Sequence, residues 1–448
     1  MAIRQALEKL RNPHTINLLG NGIMSVLSML QVAILFNYLS IDHMGIWFFF
    51  QGTIGLVDTF RAGLISTAFI TSYAGTTKER AAEIAGSGWF LAILITLIFV
   101  AVNIGYLVVP YHVKDQGLDI FMNWLGVVFM LNLPSFIASC VAQAEQRFDR
   151  LLYIRAFSTG ISIVLVLGLI LTKNINLMTV IYSGFLAGGL TSLMTMVLGW
   201  SRVNTITKAT RVSVEKIFAF GKYSVGTVLG SSLFRSSDIY IINFMLGPAS
   251  LAVYNLALRL MELVEIPMRS LAATIMPPLS AAYNQDNRVH VIHLLKKYAG
   301  MLTIILIPVV VGSLFFAEVA IWIVDKKYLS TEAANILRIL MTFALLMPVE
   351  RFMALTIDAI HQPKVNMIKL VFMLIANVAG DFLGIYLTGS IYGVAIGGIL
   401  PVLTGLFISY RFLQDYQKFH IRDVYSTGYK ELNFIVRDYL GTLRKSKS

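Results

Sequence analysis

The sequence is short of charge. Asp, Glu, Lys and Arg make up 13% of its 448 residues, about half the roughly 25% of soluble domains. Hydrophobic residues make up 57% and aromatics 12%, and the mean hydropathy is +0.73. A water-soluble domain and a disordered chain are both excluded, which leaves a polytopic membrane protein. Cysteine is nearly missing: Cys140 stands alone, so neither an internal disulfide nor a thiolate metal site can form. The seven histidines are scattered over positions that read as loops or loop edges. His290 and His293 stand at i, i+3 without an acidic or thiol neighbour, which reads as a solvated loop rather than a metal site. No GxxxxGKS, GxSxG or HExxH pattern occurs, so nucleotide hydrolysis is not expected, and neither covalent chemistry nor a cofactor is assigned.

What is present is a succession of apolar runs, each near the 20 or so residues that cross a hydrocarbon core. The basic start MAIRQALEKLRNPHT leads into an apolar stretch too long for a secretory h-region and without a small-residue cleavage site, so it reads as a permanent first span. The runs predict an all-α fold of twelve transmembrane helices, at 15–38, 44–72, 84–109, 120–144, 151–172, 177–200, 217–246, 250–282, 298–324, 333–360, 365–387 and 392–413. They group into an N-terminal six-helix bundle (1–200), a linker (201–216), a C-terminal six-helix bundle (217–413) and a basic tail (414–448).

Lys and Arg alternate sharply between the connecting segments. One set of connections, with both termini, holds 26 of the 36 basic residues, and the opposite set holds 4. The positive-inside rule places the first set, and both ends of the chain, in the cytosol at the inner membrane. The net charge of +12 then needs anionic lipid headgroups and no nucleic acid. The tail reads as a short amphipathic helix lying on the surface.

With Arg155, Lys222, Lys369 and Arg411, at the ends of their spans, counted in the connections and the tail, six basic residues remain inside spans, and all are arginines: Arg61, Arg235, Arg259, Arg269, Arg338 and Arg351. A central arginine costs about 2.5–3.5 kcal/mol on insertion scales, so it persists where it pairs, snorkels or lines a wet cavity. Helical spacing offers partners: Asp58 to Arg61, Arg235 to Asp238, Arg259 to Glu262, Glu265 to Arg269, and Arg351 to Asp358. Arg338, near a helix end, is expected to snorkel. For each of the others two readings stand, an ion pair that holds helices together or a cation that faces water. Pro134, Pro267, Pro308, Pro348 and Pro401 fall within spans and permit bends. Gly184-x-x-x-Gly188 and Gly393-x-x-x-Gly397 suggest close helix packing.

The halves resemble each other. LSIDHMGIW from Leu39 aligns with LGPASLAVY from Leu246, and the segment around Pro134 parallels that around Pro348. Parallel repeats imply an axis normal to the membrane and a central cavity between the bundles. The run from Phe220 to Ser280, with Asp238, Leu246-Gly247, Tyr254 and Pro278 to Ser280 at its landmarks, resembles the polysaccharide transporter (Wzx-type oligosaccharide-lipid flippase) branch of the multidrug/oligosaccharidyl-lipid/polysaccharide (MOP) flippase superfamily. AQAEQRFDRLLYIRAFS and HQPKVNMIKLVFMLIAN resemble linkers of that family.

The resemblance implies a non-enzymatic flippase that moves polyprenyl-pyrophosphate-linked oligosaccharide units across the cytoplasmic membrane by alternating access, for O-antigen, capsule or exopolysaccharide assembly. A polysaccharide polymerase and glycosyltransferases are candidate partners. On this reading Arg61, Arg235, Arg259, Arg269 and Arg351 serve as cavity cations. Tyr240 and Tyr254 stack on sugars, with Trp47 as a sugar platform or an interfacial anchor. Asp58, Asp238, Glu262 and Asp381 orient the cations or couple transport to a proton or sodium ion. Three rivals fit less well. A multidrug antiporter of the superfamily is expected to have a carboxylate in the first span, which has none. A lipid II flippase is expected to have fourteen spans. A membrane polymerase or ligase is expected to need an outer loop longer than any here.

Overall fold

The computed structural model describes residues 13–109 and 113–445. The basic segment before Pro13, His112 and residues 446–448 lie outside the described residues, as does the side chain of Pro267. Among the described residues every regular element is a helix. In chain order these are α1 (Pro13–Tyr38), α2 (Ile41–Tyr73), α3 (Lys78–Val108), α4 (Gln116–Leu131), α5 (Leu133–Ala144), α6 (Phe148–Leu171), α7 (Leu177–Val197) and α8 (Arg211–Leu246). The chain continues with α9 (Pro248–Asn284), α10 (Arg288–Val324), α11 (Ala333–Ala344), α12 (Met347–Ala359), α13 (Pro363–Thr388), α14 (Ile391–Gly397), α15 (Ile399–Tyr416) and α16 (Ile421–Lys445).

Among the described residues seven helices are long and apolar enough to cross a membrane: α2, α3, α6, α7, α10, α13 and the continuous run of α14 with α15. Two further pairs qualify when each is taken as one span, α4 with α5, bent by 51°, and α11 with α12, bent by 45°. The chain is therefore a multi-pass membrane protein. The runs expected at α8 and α9 are helical but interrupted by charge, from Arg235 and Asp238 and from Arg259 to Arg269.

Both bent pairs break just before the prolines singled out above. Pro134 and Pro348 each sit in the first turn of the second helix, where the missing N–H costs nothing. Pro308, by contrast, lies inside continuous α10. The repeat is visible at the start of α2 and of α9 too. Each begins after a short break, capped by Ser40, whose hydroxyl accepts from the His43 N–H at 3.2 Å, or preceded by Gly247 with Pro248 in the first turn.

The chain divides into two compact units, Met1–Ile239 and Tyr240–Ser448. Unit 1 builds its core where α2, α3 and α5 meet, with Phe69, Ile84, Trp89, Ile137 and Val141 buried. The opposite side of α3 leaves Leu94, Leu97, Ile98 and Val102 exposed, a stripe suited to lipid. At one end of the unit Glu145 accepts from Tyr73 Oη at 3.0 Å, Arg202 Nη2 at 2.9 Å and Arg150 Nη1 at 3.2 Å, which ties three segments together.

Unit 2 packs by backbone approach. A β-carbon on Gly384 of α13 would overlap the Gly393 carbonyl of α14, and one on Gly397 would meet Gly380. The glycine pair expected at 393 and 397 thus packs as the spacing suggests. Of the other pair, Gly188 abuts Asn132 while Gly184 faces open space, so that motif is only half used. The tail helix α16 does more than lie on a surface. It runs antiparallel along the start of α10, with Gly428 against Gly300 and Glu431 bonded to Lys297 Nζ at 2.6 Å and 3.5 Å from His293 Nε2. The acidic neighbour missing from the local sequence around His293 therefore arrives by tertiary packing. Lys297 donates to Glu431 and holds that carboxyl below the usual glutamate range.

Candidate functional site

Arg61 is the intramembrane cation whose surroundings differ most from a simple ion pair. It lies well inside α2 and is 3% exposed. Asp58, one turn earlier, accepts from Nη2 as the spacing predicts. The guanidinium carbon stands 4.0 Å from the Phe136 ring centroid and 4.9 Å from that of Phe129. Nε and Nη1 have no hydrogen-bond partner among the described residues. A guanidinium has five donors and cannot deprotonate, so burying two of them unpaired is costly unless a ligand or water meets them.

The room for such a group is there. A cavity of about 580 Å³ opens beside Arg61, wholly within unit 1. One wall is a single face of α2, from Gln51 through Gly55 and Asp58 to Ser66, residues spaced by three or four and hence stacked along the helix. The other wall is the α4–α5 bend. Asn132 stands at the break, its Nδ2 donating to the Val128 carbonyl at 2.9 Å. Ser135, Ser139 and Gln143 then follow at four-residue intervals on α5. Arg155, from α6, adds a second cation. The 51° bend turns α5 away and leaves polar groups facing open volume.

The remaining sequence-predicted residues fall into different settings. In unit 1, Arg235 is exposed and forms no ion pair among the described residues, so its expected pairing with Asp238 is not made. In unit 2, Arg259 bonds Glu262 at 3.0 Å and Arg269 bonds Glu265 at 2.5 Å, both on the exposed side of α9. Arg351 is exposed, and Asp358 instead accepts from Asn366 Nδ2 at 2.8 Å, so that expected pair is not brought together. Arg338 is held by Glu318 at 2.9 Å and by the Leu314 carbonyl at 3.0 Å rather than snorkelling free. Tyr254 is buried and Tyr240 half-buried. Trp47 is buried edge-on against Phe48, ring centroids 5.2 Å apart. Asp381 is buried on α13, with Asn377 Nδ2 at 3.5 Å.

Two cations were misplaced by sequence reasoning. Arg155 and Lys369 read as parts of cytosolic connectors. Arg155 lines the cavity, and Lys369 is 6% exposed on α13, its Nζ 2.7 Å from Glu350 Oε1. Gly405 packs directly on this pair, since a β-carbon there would meet Glu350. The Ser135, Ser139 and Gln143 stripe was not singled out in the sequence, although its four-residue spacing marks a polar helix face. Lys369 gave no such signal, because its partner lies 19 residues away on another helix.

Residues 39–331 match the family described as polysaccharide biosynthesis protein. Among curated proteins, a probable low-salt glycan biosynthesis flippase, Agl15 of Haloferax volcanii, is 22% identical over 412 residues, covering 89% of this chain and 82% of its own. Among solved structures, the lipid II flippase MurJ in an inward-closed conformation superposes with a TM-score of 0.70 at 16% identity, covering 94% of this chain and 92% of its own. An inward-facing multidrug resistance transporter of the MATE family gives 0.68 at 17% identity, covering 88% and 96%. At these identities the structural likeness bears on fold alone.

Proposed function

The chain belongs to the polysaccharide biosynthesis protein family within the MOP flippase superfamily, and from that premise we propose that it carries polyprenyl-pyrophosphate-linked oligosaccharide across the cytoplasmic membrane, without covalent chemistry. The observation that carries this reading is the polar cavity of about 580 Å³ inside an apolar helical unit, with Arg61 presenting unused donors. Passing sugar hydroxyls and a diphosphate through hydrocarbon unsheltered is prohibitive. The cavity receives the glycan while the polyprenyl chain stays in lipid. The exposed Arg235, Arg269 and Arg351 and the half-buried Arg259 take the diphosphate by charge-assisted hydrogen bonds, with Glu262 orienting Arg259. Tyr240 and Tyr254 contribute to sugar contact, and Asp238 and Asp381 to ion coupling. Both termini face the cytosol, and translocation proceeds by alternating access, each leaflet being reached in turn, with the bundles 1–200 and 217–413 as its moving parts. The product feeds a polymerase and is supplied by glycosyltransferases at the same membrane.

The test is a reconstituted assay. The purified protein in liposomes should move a fluorescent polyprenyl-diphosphate disaccharide to the quencher-accessible leaflet faster than empty liposomes do. Arg235→Ala combined with Arg259→Ala should slow it strongly with protein levels unchanged. Transport at the empty-liposome rate would overturn the flippase reading, and an unaffected double variant would remove the diphosphate role of these arginines.

A further inference from the structure

The clamp between α16 and α10 uses only one side of the tail helix. On that side Val424 is fully buried, Gly428 lies on Gly300 and Glu431 is bonded to Lys297. The other side carries Arg422, Tyr425, Tyr429, Lys430, Phe434 and Arg437, all exposed. Their spacing of three or four residues, Arg422 to Tyr425 to Tyr429 and Lys430 to Phe434 to Arg437, sets them on one broad face. Of the described carboxylates of α16, neither competes for these cations: Asp423 accepts from the His420 N–H at 3.3 Å, and Glu431 is engaged by Lys297. The face is therefore aromatic and cationic. Its depth follows from the packing on α10. Gly300 stands two residues past Tyr298, where the apolar run 298–324 begins, and the polar segment ending in Lys296 and Lys297 precedes it. Gly428 thus lies at the level where hydrocarbon gives way to headgroups, with Tyr425 and Tyr429 exposed on either side of it. Tyrosine suits that level, since its ring is apolar and its hydroxyl wet. Long basic side chains there reach outward to phosphate.

We propose that this face of α16 is a docking surface for anionic phospholipid headgroups, with Arg422, Lys430 and Arg437 meeting phosphate and Tyr425 and Tyr429 seated where the acyl chains begin. The inference rests on the orientation proposed above, both termini in the cytosol, and so concerns the cytosolic leaflet. It goes beyond the transport reading, because it involves no cargo. The tail helix is then held from two sides, by α10 through Gly428 and Glu431 and by the lipid surface through its cations. An acidic protein would meet the same charges, but two tyrosines at headgroup depth favour lipid.

Hydrogen exchange over 421–434, measured on the full chain in lipid nanodiscs, tests the surface. Protection should be about tenfold higher in discs containing about 30% phosphatidylglycerol than in discs of phosphatidylcholine alone. The difference should largely vanish at about 1 M salt, where screening acts within about 3 Å. Arg422→Glu combined with Lys430→Glu should abolish the lipid dependence and leave the unfolding temperature unchanged, since both side chains are exposed. Equal protection of the wild-type protein in the two lipids, or a lipid dependence that survives the charge reversal, would overturn the proposal and turn attention to an acidic protein. No cargo takes part in this measurement, so its outcome is separate from that of the transport assay.

Discussion

Phe136 in unit 1 and Glu350 in unit 2 each stand two residues after the proline of a bent helix pair, and each meets a cation buried in its own unit. Phe136 lies under Arg61 at 4.0 Å, whereas Glu350 accepts from Lys369 at 2.7 Å. An aromatic face attracts a guanidinium without consuming its N–H donors. A carboxylate neutralises an ammonium and takes a donor in doing so. The same architectural position thus yields a cation with spare hydrogen bonds beside a cavity in one unit, and a closed ion pair packed against Gly405 in the other. Charge within a membrane helix is therefore a poor guide to function by itself. What matters is whether the partner leaves donors unused.

That contrast can be broken at several points, the first of which should have the largest effect. Lys369→Met leaves the half-buried Glu350 without its counter-charge and should destabilise the protein by about 3 kcal/mol, seen as a lowered unfolding temperature by tryptophan fluorescence. Adding Glu350→Met should recover most of the loss, and a single variant as stable as the wild type would show that the pair is not closed. Phe136→Glu installs the unit 2 solution in unit 1. It should occupy the free donors of Arg61 and slow transport of the polyprenyl-diphosphate disaccharide by about tenfold, about 1.4 kcal/mol, with the unfolding temperature retained. Phe136→Leu removes only the aromatic face and should cost about 0.5–2 kcal/mol of stability, measured in the same unfolding assay.

The smallest effect concerns the α16 clamp. Glu431 is held below the ordinary glutamate range by its bond from Lys297, so its contribution is complete above the unfolded value of about 4.3 and lost as pH falls through the lower, folded value. Hydrogen-exchange protection factors in 421–434 should be level from pH 8 to pH 5 and fall only below about pH 4. Loosening between pH 7 and pH 5 would mean that another group holds the helix.

Much of the fold was legible because apolar runs of about 20 residues and their breaks are a one-dimensional signal. The bends at Pro134 and Pro348 and the Asp58–Arg61 pair, one turn apart, follow from local spacing. Lys369 and Arg155 were misread because Lys and Arg near a span's end look alike whether they point into headgroups or into a neighbouring helix. Only tertiary contact separates the two. The same limit applies to Arg351 and Asp358, whose shared helical face did not make them partners, and to Trp47, whose place near a helix start suggested an interface but whose ring is buried. The cavity itself leaves only a polar stripe on α5 as its trace in the sequence, since its volume comes from a bend angle that no residue type specifies.

The most direct test of a water-filled site at Arg61 is thiol accessibility in a Cys140→Ser background. Ser139→Cys lines the cavity, and Thr356→Cys occupies a fully buried position in unit 2. A small charged methanethiosulfonate applied to membranes should modify the first rapidly and spare the second. Equal, slow modification of both positions would mean that the cavity is dry and Arg61 merely structural.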